Sequence, residues 1–198
     1  EVMNSRMVSD PLTLYQCCPI GDGAAAVILT TAENAKKHTT HPVFVAGSVL
    51  TSGKYKASAE GPPRIQACVD AAQECYEMAG IGPEDLDVVE LHDCFTIHEL
   101  LAYEDLGLCP KGEGGKFIEE GRSDYGGDVV VNPSGGLLSK GHPIGATGVA
   151  QLVEVVWHLQ GVCGERQVPN AKVGLTHNGG GFGPGNEPGA MSISILRT

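Results

Sequence analysis

No apolar run in this 198-residue sequence approaches the ~20 residues that a membrane-spanning helix needs, and the opening Glu-Val-Met-Asn-Ser-Arg lacks the layout of a secretory signal. No membrane partner is expected. Basic residues are scarce, 13 Lys+Arg against 24 Asp+Glu for a net charge of −11, which disfavours a nucleic-acid surface. There is no Gly-x-Gly-x-x-Gly after a strand, no Gly-x4-Gly-Lys-Ser/Thr and no Gly-x-Ser-x-Gly elbow. A resident nucleotide cofactor therefore has no cradle, and no permanently bound cofactor is expected. The seven cysteines are odd in number and widely spread, and Cys68 and Cys75 share one helix face, so a reduced setting fits better than a disulfide framework. Without a Cys-x-x-Cys pair a closed zinc site has little support. The one rival is the His-x-Cys-x3-His run of His92, Cys94 and His98; His98 falls on the following helix, and no metal is expected. The chain also starts without Met inside what reads as structured protein, as a piece of a longer chain would.

What is present alternates strand and helix signals, the pattern of an α/β domain, and the length suits one core. Ala24–Leu29, Pro42–Val49, Leu86–Leu91, Ala171–Thr176 and Ala190–Leu196 read as strands. A short helix is expected over Ala32–Lys37. Ile65, Cys68, Val69, Ala72, Cys75, Tyr76 and Ala79 recur at helical intervals before Gly80, so Arg64–Ala79 is a helix that stops at a glycine. Gly61-Pro62-Pro63 is a break before it. Thr96 and Glu99 have capping-box spacing, which places a helix over Ile97–Leu106. Val149, Leu152, Val153 and Val156 mark another from about Thr147 to Gly161. The Gly- and Pro-rich residues 108–146 are expected as a loop covering a site, and His177–Gly189 as a second glycine-rich loop.

Three segments bring a histidine or thiol beside accessible backbone: His92-Asp93-Cys94-Phe95, Gly141-His142-Pro143 and His177-Asn178-Gly179-Gly180-Gly181. In an extended segment His92 and Cys94 point to the same side, so an imidazole and a thiol can address one reacting carbon. His142, held between glycine and proline, is placed to deprotonate a thiol. Gly179 and Gly180 leave backbone N–H groups bare for an oxyanion. Singly, each feature has a plain structural reading. A strand-end histidine packs or caps, Cys94 is a small buried hydrophobe, Asn132–Gly136 is a turn, and Cys17-Cys18 is packing.

Together they resemble one family. Asn132-Pro-Ser-Gly-Gly-Leu-Leu-Ser-Lys-Gly-His-Pro-Ile-Gly-Ala-Thr-Gly148 resembles the Gly-His-Pro signature of thiolases, and Val89-Glu-Leu-His-Asp-Cys-Phe95 looks like the second motif of the sterol-carrier-protein (SCP-x) type. Cys17–Ala26 resembles the lead-in to the C-terminal half. The resemblance implies a thiolase-like α/β fold: a C-terminal βαβαβαββ half, its mixed sheet covered by helices, over residues 22–198, with residues 1–21 ending the preceding segment. It implies acetyl-CoA C-acyltransferase activity with coenzyme A and acyl-CoA as substrates. His142 would activate a nucleophilic cysteine borne by an N-terminal half, which this chain lacks. His92 would stabilise the thioester oxygen, and Cys94 would be the acid/base thiol. Asn132 and His177 would support them, His177 standing where other thiolases carry that thiol. A thiolase-fold aldolase of steroid side-chain breakdown and a non-catalytic acyl-CoA-binding or assembly subunit are the alternatives. A homodimer or tetramer, a small accessory protein, and a cytoplasmic or else peroxisomal address complete the expectation.

Overall fold

The structure is a computed structural model that describes residues 1–54, 64–182 and 187–198. A small ribbon of β1 (Met7–Ser9) and β2 (Leu12–Thr13) opens the chain, followed by α1 (Ala32–Ala35), whose first turn is capped by the Thr31 hydroxyl. The main body alternates β3 (Phe44–Thr51), α2 (Gln66–Ala79), β4 (Val88–Glu90), α3 (Thr96–Asp105), α4 (Gly114–Glu119), β5 (Val130–Val131), α5 (Gly136–Lys140) and α6 (Thr147–Gln160), and ends in the hairpin β6 (Val173–Phe182) and β7 (Pro188–Arg197). Five strands form one sheet in the order β3-β7-β6-β4-β5. β4 runs parallel to both β6 and β5, while β7 is antiparallel to β3 and β6. This is the expected βαβαβαββ unit, with a mixed sheet.

Strand alternation builds two cores. Val89, Leu91, Leu175, Ile193 and Ile195 join α2 and α3 on one face, and Val88, Val130 and Leu196 join α6 on the other. Val88 through Leu91 is fully buried, which explains its nearly unbroken apolar run. Each such side chain contributes about 1.5–3 kcal/mol. Helix α6 can sit tight on β6 because residue 174 is glycine: a Cβ there would stand 2.5 Å from Val155 Cγ1. Gly80 and Gly161 end α2 and α6 in the left-handed conformation, as the sequence suggests.

Four expectations need correction. Ala24–Leu29 forms no strand here and has no regular structure, with Ile28 95 % and Leu29 80 % exposed. A strand needs an edge to pair with, and no described strand offers one to this segment. Residues 108–146 are not one loop, since they contain α4, β5 and α5. The elements are short, and β5 has only two residues, too few for a periodic signal. The capping box at Thr96 and Glu99 is not made: Thr96 is already helical, and Glu99 instead accepts from the Tyr103 hydroxyl one turn on. Finally, the glycine-rich stretch after His177 continues as strand. Gly179 pairs with Met191 and Gly180 with Ala190, because an antiparallel ladder is made by backbone, and β7 supplies it. The Gly61-Pro62-Pro63 break lies outside the described residues.

Candidate active site

The C-terminal ends of the parallel strands β4 and β5 deliver His92 and Cys94, and Asn132, to one edge of the sheet, and His177 joins them from the middle of β6, one residue past its pairing with β4, at the position where open α/β sheets hold ligands. Asn132 latches the first two strands together. Its left-handed backbone (φ 50°) turns the chain, its N–H donates to Val89 O at 2.7 Å, and its Oδ1 accepts from Leu91 N at 2.8 Å. Beneath the site the fully buried Glu90 accepts from the Ser134 hydroxyl (2.7 Å) and backbone N–H (3.0 Å), with Lys140 Nζ at 3.4 Å. Burial still holds its carboxyl above the ordinary range.

Asp93 ties the two motif loops together. Its carboxylate accepts from Leu137 N (2.7 Å) and Leu138 N (3.3 Å) in the first turn of α5, the helix that leads into Gly141-His142-Pro143. The N-terminal segment adds a second tie: Cys18 N donates to Cys94 O at 3.0 Å, and His142 N donates to Pro19 O at 2.8 Å. Cys17 and Cys18 thus do more than pack.

The imidazoles gather around these ties. The ring centroids of His92 and His142 are 4.9 Å apart, those of His92 and His98 5.8 Å, and those of His98 and His177 6.0 Å. Cys94 Sγ lies 3.3 Å from His98 Nδ1. The structure therefore gathers the rings of His92, His142 and His177 with that of His98, expected only as a rival metal ligand, which the first turn of α3 brings to the Cys94 thiol. Gln151 was not anticipated. Fully buried on α6, it donates to His177 O (3.2 Å) and accepts from Asn178 Nδ2 (3.0 Å), fixing the β6 side of the site.

Hydrogen bonding assigns the protons. Thr147 Oγ1 donates to Pro143 O (3.1 Å), so its oxygen accepts from His142 Nδ1 (2.8 Å). His142 Nε2 then carries a lone pair, and since burial lowers the ring's pKa, it is a neutral base. Likewise, the backbone N–H of His92 donates to His177 Nδ1 at 3.3 Å, which places the proton of His177 on Nε2. Burial first, and then the neighbouring rings His98 and His142, push His92 down to about 3; burial pushes His177 well down too. Cys94 moves the other way, pushed up to about 12 by burial, with Cys18 and Asp93 adding to it. The site at neutral pH thus holds neutral imidazoles and a protonated thiol. His92 Nδ1, Asn132 Nδ2 and His177 Nε2 are buried and lack hydrogen-bond partners among the described residues.

A pH dependence follows. Unfolded imidazoles take up protons near pH ~6.5, whereas the folded rings resist until well below it, so under acid the unfolded chain holds more protons. Stability present above that value is lost as pH falls towards the folded values, at up to about 1.4 kcal/mol per pH unit for each ring. The denaturant midpoint should fall between pH 7 and 5, and less steeply in His177→Asn. Equal slopes would remove His177 from this account.

Among the described residues only Glu154, His158 and Cys163 bring three potential metal ligands together, within 4.8 Å of one another. Their bonding suits an ion pair better. His158 Nδ1 accepts from Val168 N (3.0 Å), so Nε2 carries the proton and faces Glu154 Oε1 at 3.4 Å with no lone pair to give. Arg166 answers the carboxylate at 2.8 Å. Against the cost of burial, His158 and Arg166 hold Glu154 below its ordinary range.

The βαβαβαββ unit, with its mixed five-stranded sheet, gathers a thiol and imidazoles where the parallel strands β4 and β5 end. The chain belongs to the thiolase C-terminal domain-like family, which it matches over residues 47–187. It is 53 % identical over 184 residues to an acetyl-CoA acetyltransferase of Methanothermobacter thermautotrophicus, covering 92 % of this chain and 48 % of that one. Sterol carrier protein 2 of Bos taurus is 53 % identical over 186 residues, covering 90 % of this chain and 34 % of its own length. A benzoylsuccinyl-CoA thiolase subunit of Thauera aromatica is 51 % identical, over 91 % of this chain and 48 % of that subunit. Among solved structures, an Ltp2-ChsH2(DUF35) aldolase superposes with a TM-score of 0.83 at 25 % identity, over all of this chain and 50 % of its own. The chain thus spans half or less of the length of these relatives.

Proposed function

We infer that this chain is the C-terminal half of an acetyl-CoA C-acyltransferase that cleaves 3-oxoacyl-CoA with coenzyme A, or runs the reverse condensation. The observation that carries this reading is one cluster in which the protonated Cys94 thiol lies against His98 and the rings of His98, His92 and His142 follow one another, His142 keeping Nε2 as its free nitrogen. An N-terminal half supplies the nucleophilic cysteine. Its thiol gives a proton to His142 Nε2 as the sulfur attacks the 3-oxo carbon. The bond between that carbon and the α-carbon breaks, its electron pair passes to the α-carbon, and the Cys94 S–H protonates it, releasing acetyl-CoA. Coenzyme A then gives its thiol proton to the Cys94 thiolate and its sulfur takes the acyl group, while the departing cysteine recovers the proton from His142. His92, neutral above about pH 3, donates a ring N–H to the thioester oxygen; Gly179 and Gly180 are consecutive in β6 and present their N–H groups to opposite strand edges, so the one turned away from β7 offers its N–H to the second oxyanion.

The exposed surface supports an absent partner half. Ile20, Phe95, Ile97 and Ile144 stand exposed around the site, beside the unpaired Ala24–Leu29. In this reading that segment adds a strand to the sheet of the N-terminal half, and the rim residues close the cavity. The full-length protein should consume one coenzyme A per 3-oxoacyl-CoA cleaved, followed by loss of the thioester's enolate absorbance. The structural likeness to an aldolase favours a second reading, cleavage of a 3-hydroxyacyl-CoA without coenzyme A consumption. Activity on that substrate alone would replace the first reading with the second.

A further inference from the structure

We propose that His98 is the proton acceptor that positions and ionises the Cys94 thiol, so that the two work as a thiol–imidazole pair. Cys94 Sγ lies 3.3 Å from His98 Nδ1, close enough to share one proton. The pair is built by the fold rather than by chance of a mobile surface. Cys94 is anchored through its own carbonyl to Cys18 N, and His98 sits in the first turn of α3 with its N–H on Phe95 O at 2.9 Å. Rings of His92 and His177 flank the His98 ring edge-on, which holds its plane. Neither Asp93 nor Cys18 can serve as the acceptor: the Asp93 carboxylate is taken up by Leu137 N and Leu138 N, and the Cys18 thiol is itself raised by burial. His142 has its ring on Thr147, and His177 has its Nδ1 on His92 N.

The inference deepens the reading of Cys94 as the acid/base thiol, but its geometry stands without it. A buried thiol is a poor acid, and burial, with Cys18 and Asp93 adding to it, pushes Cys94 up to about 12. With His98 beside it, the S–H proton passes to Nδ1 as the sulfur reacts, and returns from Nδ1 when the sulfur is reprotonated. Burial lowers the His98 ring while the His92 carbonyl opposes this, so the imidazole is unprotonated and able to accept at neutral pH. The groups facing the pair are Asp93 and Cys18 on the thiol side and His92 and His177 on the ring side, with His142 behind His92.

The test is the rate at which a small neutral alkylating agent modifies Cys94 in the full-length protein, resolved by peptide mass spectrometry between pH 6 and 9 without substrate. A lone thiol of high pKa reacts about tenfold faster per pH unit, in proportion to its thiolate. A thiol whose proton passes to a neutral imidazole reacts at a nearly constant rate over that range, falling only in acid as the ring protonates. The wild type should show the plateau. His98→Asn, which keeps a polar group near the Nδ1 position but does not titrate, should lose it and react at least about tenfold more slowly at pH 7. His98→Gln serves if the asparagine variant fails to fold. A tenfold-per-unit slope already present in the wild type, or a plateau that survives both substitutions, overturns the proposal. Because no substrate is present, failure here is separable from failure of the thiolase reading: a plateau in a protein that cleaves no 3-oxoacyl-CoA keeps the pair and sinks the activity.

Discussion

Gly136→Ala should destabilise the protein by about 2–5 kcal/mol and scramble the loop that carries Cys94. Two costs combine. Residue 136 opens α5 at φ +60°, where a side chain costs roughly 1–2 kcal/mol. A Cβ at that position also overlaps the Asp93 carboxylate, well inside van der Waals contact. Asp93 is 2 % exposed and cannot swing into water, so it must release Leu137 N and Leu138 N, leaving a buried acceptor and two helix N–H groups short of partners. A double-mutant cycle isolates the second cost. On an Asp93→Ser background, Gly136→Ala should cost only the backbone part, about 1–2 kcal/mol by chemical denaturation. The same penalty on both backgrounds would show that the glycine is needed for its dihedral angle alone.

The contact between residues 93 and 136 also marks how far the sequence could be read. Long elements with one dominant period were legible: α2 and α6 appear within two residues of their expected bounds, and each stops at its glycine. The buried strand β4 was legible because an apolar run ended in polar, chemically active residues. The site residues His92, Cys94, His142 and His177 stood out by type and by loop position, and the fold gathers them. What was hidden depends on partners distant in sequence. Ala24–Leu29 has all the local character of a strand, but its partner is not in the described sheet, and local character cannot say so. The glycines after His177 look like a loop until β7 lies beside them. Asp93, Glu90 and Gln151 take their roles from backbone groups roughly 25–45 residues away.

His98 is a different kind of omission. Its spacing from Cys94 is plain in the sequence, but there it suggests only a metal ligand, and a poor one because it lies on a helix. That placement turns out to be what brings it to the thiol: α3 begins at Thr96, one residue earlier than expected, and its first turn carries the ring back over the loop. The lesson is geometric. A residue in the first turn of a helix faces the loop that leads into it, so strand–loop–helix junctions should be read as one unit.

Cys94→Ala carries the largest expected effect on activity. General acid–base catalysis by one positioned group is worth about 10²–10⁴ in rate, and on the proposed mechanism a thiol that burial keeps un-ionised supplies the proton to a carbanionic carbon. The kcat for 3-oxoacyl-CoA cleavage in the full-length protein should therefore fall about a thousandfold, with KM changed by no more than about threefold. A second readout assigns the step. On the proposed mechanism Cys94 exchanges a proton with the α-carbon, so wild-type enzyme incubated with acetyl-CoA alone in deuterated water should exchange deuterium into its methyl group, and Cys94→Ala should not. His142→Gln should behave in the opposite sense. With Nε2 no longer available as a base, the nucleophilic cysteine is not activated and cleavage falls by a similar factor, yet methyl exchange at Cys94 persists. Loss of exchange in both variants would mean that the two groups act on one shared proton. Full cleavage activity in Cys94→Ala would take the thiol out of the mechanism altogether.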